Sequence, residues 1–480
     1  MSALWTLDAM VAAMGAETSG ALPADVPGLS IDSRSIAKGE AFFAIKGDNR
    51  DGHDFVEAAL KSGAGLAVVA HDQRQRFSAD APLLVVDDVL EALRELARAA
   101  RARSHAKVIA VTGSVGKTST KEGLRLALSA DGETHASAAS YNNHWGVPLS
   151  LARCPASAKY GVFEIGMNHA GEITPLTKLV RPHVAIITAI APVHLQYFGS
   201  LQKIAEAKAE IFCGLEPGGG AVLNRDNRQY AQLAKAAAAA GVARIVSFGE
   251  HAKADARLTR HSLHADVSTV QARILGQDVT YKIGAPGKHL VLNSLAVLAA
   301  VAVVGADLAL AALALTNLRP AAGRGTRITL RVPGGSALLI DESYNANPAS
   351  MAAAIALLGQ APVGKNGRRV AVLGDMLELG AQGAALHRAL IEPIEAAGVD
   401  LVFCSGPLMH ALWQALPSGV RGGYAETAAA LQPAVLAAIR AGDAVMVKGS
   451  LGSKMGPIVK AMEQQFTRPV ALEPAPAAQN

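Results

Sequence analysis

The segment Lys107–Leu124, KVIAVTGSVGKTSTKEGL, decides the fold class, because it predicts a buried strand, a glycine-rich turn and a helix in direct succession. In this arrangement the backbone N–H groups of the turn and the N-terminus of the helix face a bound phosphate. We therefore predict a phosphate-binding loop, in which Lys117 contacts the outer phosphates and Thr118 binds Mg2+. The loop residues are Gly113, Ser114, Gly116, Lys117, Thr118 and Ser119.

The predicted loop is shorter than the common phosphate-loop pattern GxxxxGK[ST], because it reads GSVGKT. A glycine-rich turn that binds no ligand is therefore the alternative interpretation. The strand before the turn and the helix after it favour the phosphate loop.

Apolar runs on both sides of the loop predict an α/β fold of three domains. Runs such as VFEI, VAIITAI and GAVLN alternate with helical stretches after the loop, which is typical of the parallel strands of a doubly wound sheet. Shorter runs predict a small α/β unit before it, and a Pro/Gly-punctuated link, Leu315–Arg327, precedes a third, Rossmann-like unit. The predicted limits are residues 1–103, 104–320 and 321–467, with a flexible tail at 468–480 that is rich in Pro and Ala.

Composition narrows the class of protein. The 480 residues carry a net charge of +5, and their one dense basic run, Arg94–Lys107, is interpreted as a solvated helix and not as a nucleic-acid surface. Three cysteines without metal-ligand spacing fit a cytoplasmic protein, and the N-terminus lacks the pattern of a signal peptide. The apolar stretch His289–Leu315 is long enough to span a membrane, but Gly305 and Asp307 predict a break into two buried helices.

Two polar residues follow neighbouring predicted strands at the edge that carries the phosphate loop. Glu164 ends the strand VFEIG, and His194 follows the next strand in TAIAPVHLQYFGS. Doubly wound folds bind ligands at the carboxyl ends of their strands. Although a lone Glu often caps a helix and a lone His is often a structural hydrogen-bonding residue, together they favour a site for metal and phosphate.

Six motifs in this chain resemble those of the Mur ligases of bacterial cell-wall synthesis. Besides the phosphate loop, they are YNNHWGVPLSL, FEIGMNHAGEI, APVHLQYFGS, IAEAKAEIF and DESYNANPASM. These motifs, with the N-terminal block Asp32–Phe55, cover residues from about 30 to 455. The resemblance implies an N-terminal UDP-binding domain, a central ATPase and a C-terminal domain that closes over the site.

The activity that the resemblance implies is amide formation driven by ATP. The SYNANP block implies a ligase that adds D-alanyl-D-alanine to UDP-N-acetylmuramoyl-tripeptide through an acyl phosphate. Phosphorylation is needed because a free carboxylate is a poor acylating agent, and the protein contributes positioning and charge stabilisation. The resemblance further implies a monomer that acts on these small molecules in the cytoplasm, without nucleic acid or membrane insertion.

The resemblance also assigns roles to individual residues. Thr118 and Glu164 would hold a first Mg2+, His194 a second, and Lys208 would be carbamylated and support the metal. CO2 adds to a neutral amine and gives an anion able to support Mg2+, so carbamylation requires a site that lowers the pKa of the lysine. The alternative interpretation of Lys208 is a surface lysine on an amphipathic helix. Further implied ATP contacts are Asn293, Arg324, Asp341, Asn345 and Asn347, and the uridine-nucleotide region includes Ser33 and Arg34.

Departures from the family pattern keep alternatives open. The stretch Val447–Met462 retains KGS, which makes Lys448 and Ser450 secondary candidates near the acyl site, but it lacks the arginine and acidic residues expected after it. A sibling ligase that adds the third residue is one alternative, although its DNPR-type signature is absent. A folylpolyglutamate synthase and a phosphate-loop NTPase that acts as a switch or motor are the others.

Overall fold

The computed structural model describes residues 3–138, 140–193 and 195–466. It consists of three α/β units in chain order, each built on its own sheet. Two of the predictions lie outside the described residues: the tail at 468–480 and the metal ligand His194.

The first unit is a five-stranded sheet in the order β2-β7-β6-β5-β4, with a two-stranded ribbon of β1 and β3 beside it. Strands β4 to β7 are parallel and β2 is antiparallel to β7. The strands are β1 Trp5–Thr6, β2 Glu17–Ser19, β3 Asp25–Val26, β4 Leu29–Ser30, β5 Ala41–Phe43, β6 Leu66–Ala70 and β7 Leu83–Val86; the helices are α1 Leu7–Met14, α2 Val56–Lys61 and α3 Val89–Arg103.

The central unit is a nine-stranded sheet that contains the predicted phosphate loop. Its elements are β8 Lys107–Thr112, α4 Lys117–Ser129, β9 Thr134–Ala136, α5 Gly146–Ala152, β10 Tyr160–Glu164, α6 Ile173–Val180, β11 Val184–Ile187, α7 Leu195–Phe198, α8 Leu201–Ala209, β12 Gly220–Asn224, α9 Tyr230–Ala239, β13 Arg244–Gly249, β14 Ala256–Leu263, β15 Ser268–Ile274, β16 Gln277–Ile283, α10 Lys288–Val304 and α11 Leu308–Ala314. The order is β16-β15-β14-β13-β12-β11-β8-β10-β9. Strands β8 to β14 are parallel, whereas β14, β15 and β16 form an antiparallel meander that the sequence patterns did not predict.

The third unit is a six-stranded sheet in the order β17-β18-β22-β19-β20-β21. All its neighbouring strands are parallel except the antiparallel pair β17 and β18. Its elements are β17 Thr326–Val332, β18 Gly335–Glu342, α12 Pro348–Gly359, β19 Arg369–Gly374, α13 Gly383–Arg388, α14 Ile391–Ala396, β20 Leu401–Ser405, α15 His410–Ala415, β21 Arg421–Ala425, α16 Ala428–Ala438, β22 Ala444–Lys448 and α17 Gly456–Phe466. The predicted α/β class with a central doubly wound sheet is confirmed.

The long apolar stretch divides as predicted. Helix α10 ends at Gly305, which adopts a left-handed conformation with φ 75°, and Asp307 caps α11 by accepting a hydrogen bond from the N–H of Leu310. Helix α10 is buried on most sides between the central sheet and α4 and α11. Within the described residues, no helix is long and apolar enough to cross a membrane.

The basic run before β8 forms helix α3 as expected, but one of its arginines is buried. Arg101 is 6% exposed. Its guanidinium donates to the backbone oxygen of Val180 at 2.8 Å and to the Glu216 carboxylate at 3.1 Å. Arg101 therefore fixes the first unit to the central one, which corrects the prediction that this run is only a solvated face.

Candidate active site

The predicted phosphate loop lies at the point where the strand order of the central sheet reverses. Strand β8 has β10 and β9 on one side and β11, β12 and β13 on the other. Ligands of doubly wound folds bind in the crevice at this point, beyond the carboxyl ends of the strands. Helix α4 begins at Lys117, so its free N–H groups face the same crevice.

Two glycines give the loop its shape. Gly113 and Gly116 have φ angles of 148° and 86°, which side chains rarely adopt. A Cβ atom on Gly116 would lie 2.8 Å from Nδ2 of Asn293. Asn293 donates from Nδ2 to Oγ of Ser119 at 3.0 Å. The asparagine predicted on the adenine side therefore lies directly against the loop.

Lys117 is half-buried and its Nζ donates to the Gly113 carbonyl oxygen at 2.7 Å. Burial lowers the pKa of this lysine; the nearby Glu164 carboxylate opposes that change, and the positive charge of Arg324 adds to it. The ammonium thus lies in a partly desolvated site between one acidic and one basic side chain. A phosphate group would supply the negative charge that such a site favours.

Thr118, in the first turn of α4, meets Glu164, the last residue of β10. Thr118 donates from Oγ1 to Oε2 of Glu164 at 3.0 Å, and Asn142 donates from Nδ2 to Oε1 at 2.7 Å. Glu164 is 1% exposed, so both carboxylate oxygens are held in a fixed orientation. A hydroxyl and a carboxylate oxygen at this separation match the oxygen ligands that Mg2+ prefers.

Lys208 lies in the last turn of α8 and is 2% exposed. Burial holds the pKa of its amine well below the usual range, and the positive charge of Lys117 lowers it further. The structure therefore places Lys208 in electrostatic contact with the phosphate loop. The lowered pKa favours the neutral amine, which is the form that reacts with CO2.

The link between the central and C-terminal units brings Arg324 toward the loop. Its guanidinium lies 4.3 Å from the centre of the Tyr344 ring, and Nη2 donates to Oγ of Ser140 at 3.4 Å. The N–H of Gly325 donates to the backbone oxygen of Asp341 at 2.8 Å. The predicted residues Arg324 and Asp341 are therefore joined through this link.

Residues of the C-terminal unit are fixed by local hydrogen bonds. Asp341 accepts from the hydroxyl of Ser343 at 2.6 Å. Asn347 caps α12, with its side chain accepting from the N–H of Ser350 at 2.9 Å. The backbone oxygen of Asn345 accepts from Nζ of the buried Lys448 at 3.0 Å. These contacts order the SYNANP loop.

The predicted nucleotide residues of the first unit lie in a tight turn. Asp32 accepts from the backbone N–H of Arg34 at 3.0 Å and also pairs with its guanidinium at 2.7 Å. The Arg34 side chain is 84% exposed. Ser33 is half-buried beside it.

A groove of about 1450 Å³ runs between the first and central units. Asp48 and the arginines Arg94 and Arg98 line one side, and Asn142 and Gly166 line the end near Glu164. The groove therefore runs from the N-terminal unit to Asn142, the hydrogen-bond partner of Glu164.

Sequence patterns did not assign two residues that shape the site. Asn142 orients Glu164, and Thr188 donates from Oγ1 to the Val115 backbone oxygen at 2.5 Å, which braces the loop. Asn142 lies in the motif YNNHWG, but its amide cannot be paired with Glu164 without the fold. Thr188 directly follows the apolar strand β11, and a polar residue at the end of that strand is the sequence signal that could have identified it as part of the site.

Comparison with known families gives a consistent assignment along the chain. Residues 25–101 match the model of the Mur ligase family, catalytic domain; residues 111–301 match the Mur ligase middle domain; and residues 325–451 match the Mur ligase, glutamate ligase domain. The chain is also 36% identical over 463 residues to the UDP-N-acetylmuramoyl-tripeptide–D-alanyl-D-alanine ligase of Escherichia coli (strain K12), covering 96% of this chain and 99% of that one. The chain belongs to the Mur ligase family.

Solved structures of Mur ligases share the fold. MurF from Acinetobacter baumannii superposes with a TM-score of 0.80 at 30% identity, covering 96% of this chain and 99% of that one. MurF ligase from Thermotoga maritima, solved in complex with ADP, gives a TM-score of 0.72 at 25% identity, covering 91% and 97%. The predicted family membership and fold are confirmed.

Proposed function

We propose that this Mur ligase joins D-alanyl-D-alanine to UDP-N-acetylmuramoyl-tripeptide at the expense of ATP, releasing ADP and phosphate. The product is the UDP-N-acetylmuramoyl-pentapeptide of peptidoglycan synthesis, on which cell shape and division depend. The observation that carries the proposal is the 36% identity to the Escherichia coli ligase of this specificity over 96% of the chain. The phosphate loop and the buried Glu164 and Lys208 supply a site suited to this chemistry.

The reaction forms one amide bond in two steps. The γ-phosphoryl group passes to the terminal carboxylate of the tripeptide, giving an acyl phosphate and ADP. The dipeptide amine then attacks the acyl carbon, loses a proton, and phosphate departs through a tetrahedral intermediate. Because the substrates supply the bonds, the protein accelerates the reaction by alignment and by stabilising negative charge.

Within this proposal the phosphate loop binds ATP. Gly113, Ser114, Gly116 and Ser119 present backbone and hydroxyl groups to the phosphates, and Lys117 contacts the outer phosphates. Asn293 adjoins the adenine side, since its amide donates to Ser119. Arg324, Asp341, Asn345 and Asn347 approach from the C-terminal domain, and Ser33 and Arg34 belong to the uridine region.

The residues at the loop fit Mg2+. Thr118 and Glu164 offer two oxygen ligands whose atoms are 3.0 Å apart, and ATP phosphates would complete the coordination shell. Bound Mg2+ would neutralise charge on the phosphates during transfer. His194, proposed for a second ion, lies outside the described residues. Among the described residues, no group of three or more His, Cys, Asp or Glu side chains could hold a metal ion.

Lys208 fits the proposed carbamylation. Its buried amine has a lowered pKa, and CO2 would add to the neutral amine to give a carbamate anion beside Lys117, with release of a proton. The carbamate would attract the Lys117 ammonium and supply negative charge near Mg2+. The exposed Lys203 on the same helix has no such environment.

We assign residues 1–103 to binding of the UDP-linked substrate, 104–320 to ATP and 321–467 to closure over the site. The three family matches fall within these limits. We also propose that the enzyme is a monomer and acts in the cytoplasm, where ATP and UDP-linked precursors are supplied. Its three cysteines form no disulfide.

The test is a reconstituted reaction with purified protein, ATP, Mg2+ and UDP-N-acetylmuramoyl-tripeptide, with and without D-alanyl-D-alanine. Release of phosphate that requires both substrates, with a nucleotide product heavier by the dipeptide less water, supports the proposal. ATP turnover without either substrate favours an NTPase. In a separate assay, addition of a single amino acid to the UDP-linked precursor that carries only two residues would favour the sibling ligase.

A further inference from the structure

The loop Met376–Gly380, which follows β19, is held by side chains from outside it. Nε2 of His387 accepts from the N–H of Met376 at 2.9 Å. Oγ of Ser450 accepts from the N–H of Leu377 at 3.0 Å. Two consecutive backbone groups of this loop therefore depend on acceptors from α13 and from the segment after β22.

His387 is suited to this role because its neighbours fix the tautomer of its neutral ring. It is fully buried, and Nδ1 lies 2.7 Å from the Gly383 carbonyl oxygen. A carbonyl only accepts, so Nδ1 carries the proton and Nε2 is left with a lone pair for Met376. Burial lowers the pKa of His387 and outweighs the opposing effect of Asp375, whose carboxylate lies 4.0 Å away.

The same loop contacts the central domain. The N–H of Gln196, in α7, donates to the Glu378 backbone oxygen at 3.2 Å. Gly380 packs against this residue as well, since a Cβ atom on it would lie 3.4 Å from Cα of Gln196. Glu378 has a φ of 63°, which a residue other than glycine rarely adopts, so the loop conformation is demanding at this position. The loop therefore joins the C-terminal domain to the segment after β11, beside the phosphate loop.

The places of the other two substrates indicate which substrate the contact between the loop and Gln196 serves; this step rests on the proposed function. The hydrogen bonds described for Lys117, Thr118 and Asn293 involve central-domain residues alone. The groove leading to Glu164 is lined by the first two domains, and its described lining contains no residue of the loop. Within the proposed function, ATP and the UDP-linked tripeptide are thus assigned places that the loop does not line, and the dipeptide is the substrate left for the C-terminal side.

We propose that His387 is a positioning residue for the dipeptide acceptor: by accepting the N–H of Met376, it holds the loop Met376–Gly380 in contact with Gln196. Loss of the acceptor atom leaves a buried N–H unpaired and releases one anchor of a conformationally demanding loop. The consequence falls on capture of the dipeptide and not on ATP.

Two variants of His387 separate the acceptor role from simple packing. His387→Gln keeps an oxygen close to the position of Nε2, whereas His387→Asn reaches only the Nδ1 position. A matched control exists in His53, which is buried and accepts the N–H of Ala70 at Nε2 at 2.9 Å in the N-terminal domain. His53→Asn removes the same kind of hydrogen bond far from the loop.

The experiment measures KM for D-alanyl-D-alanine and for ATP, with kcat, in the full-length variants. We expect His387→Asn to raise KM for the dipeptide about tenfold, as expected for one lost buried hydrogen bond. We expect KM for ATP to stay near the parental value in His387→Asn. His387→Gln should bring KM for the dipeptide most of the way back to the parental value. His53→Asn should lower the melting temperature and leave KM for the dipeptide unchanged. If His387→Asn does not fold, Ser450→Ala decides, because it releases Leu377 of the same loop.

The results discriminate between the two proposals. Equal kinetics for His387→Gln and His387→Asn overturn the positioning role. Equal rises in KM for the dipeptide and KM for ATP overturn it as well. Where His387→Asn does not fold, an unchanged KM for the dipeptide in Ser450→Ala overturns it. Failure of the proposed function is visible in the parental protein, which would then make no pentapeptide product.

Discussion

Thr118 and Glu164 are joined by a hydrogen bond of 3.0 Å although they are 46 positions apart in the chain. The contact exists because β8 and β10 are neighbouring parallel strands, so that the loop after one and the end of the other meet at the same edge. Asn142 occupies the second carboxylate oxygen, which leaves Glu164 oriented toward the phosphate loop. This geometry is the basis for the predictions about metal and ATP.

Replacing Lys117 should remove phosphoryl transfer and leave the fold intact. The side chain is half-buried, and its ammonium makes one described hydrogen bond, to the Gly113 carbonyl. We expect Lys117→Ala to lower the rate of phosphate release by roughly 100-fold or more, as for other groups that stabilise transition-state charge. Circular dichroism should remain unchanged. Full ligation activity in this variant would show that the loop is not the ATP site.

Neutralising Glu164 should weaken the response to Mg2+. In Glu164→Gln the hydrogen bonds to Thr118 and Asn142 can largely persist, but the charge that attracts the cation is lost. We expect the Mg2+ concentration for half-maximal activity to rise by about tenfold or more. Titration of phosphate release with Mg2+ measures this, with the exposed Glu206→Gln as control. An identical Mg2+ curve for Glu164→Gln would exclude a metal role.

Activity should depend on a lysine that can be carbamylated at position 208. Lys208→Arg keeps a cation that cannot be carbamylated, so we expect ligation to fall by roughly 100-fold. Lys203→Arg on the exposed face of the same helix should be silent. The parental enzyme should also lose activity in CO2-depleted buffer and regain it with bicarbonate. Indifference of the parental enzyme to bicarbonate, with an active Lys208→Arg variant, would contradict carbamylation.

Stability should fall on mild acidification, in part through His387. Its pKa is lower in the folded protein than in the unfolded chain, so the unfolded state binds more protons. This contribution is present above the unfolded-state pKa of about 6.5 and is lost as the pH falls below it toward the folded value. Melting temperatures measured between about pH 8 and about pH 5 should drop less steeply for His387→Gln. Parallel curves for the two proteins would show that His387 does not titrate differently on unfolding.

Much of the architecture could be predicted from local patterns. Strand β12 coincides with its predicted run GAVLN, and the break between α10 and α11 follows from Gly305 and Asp307. These features are encoded by residues close in sequence. Parallel buried strands are also recognisable because both of their faces are apolar.

Other features depend on contacts between distant residues. Strands β14 and β16 alternate buried and exposed positions with many polar residues, so their pairing into a meander is visible only in three dimensions. Arg101 is in a basic run typical of a solvent-exposed helix, but Glu216 compensates its charge from 115 positions away. Asn142 and His387 are likewise defined by partners that local patterns do not identify.

The most direct test of the central claim is the mass of the nucleotide product formed from UDP-N-acetylmuramoyl-tripeptide, ATP and D-alanyl-D-alanine. A ligase of the proposed specificity gives a product heavier by one dipeptide less water, with one phosphate released for each product molecule. ATP hydrolysis without any change in the mass of the UDP-linked substrate would contradict the claim.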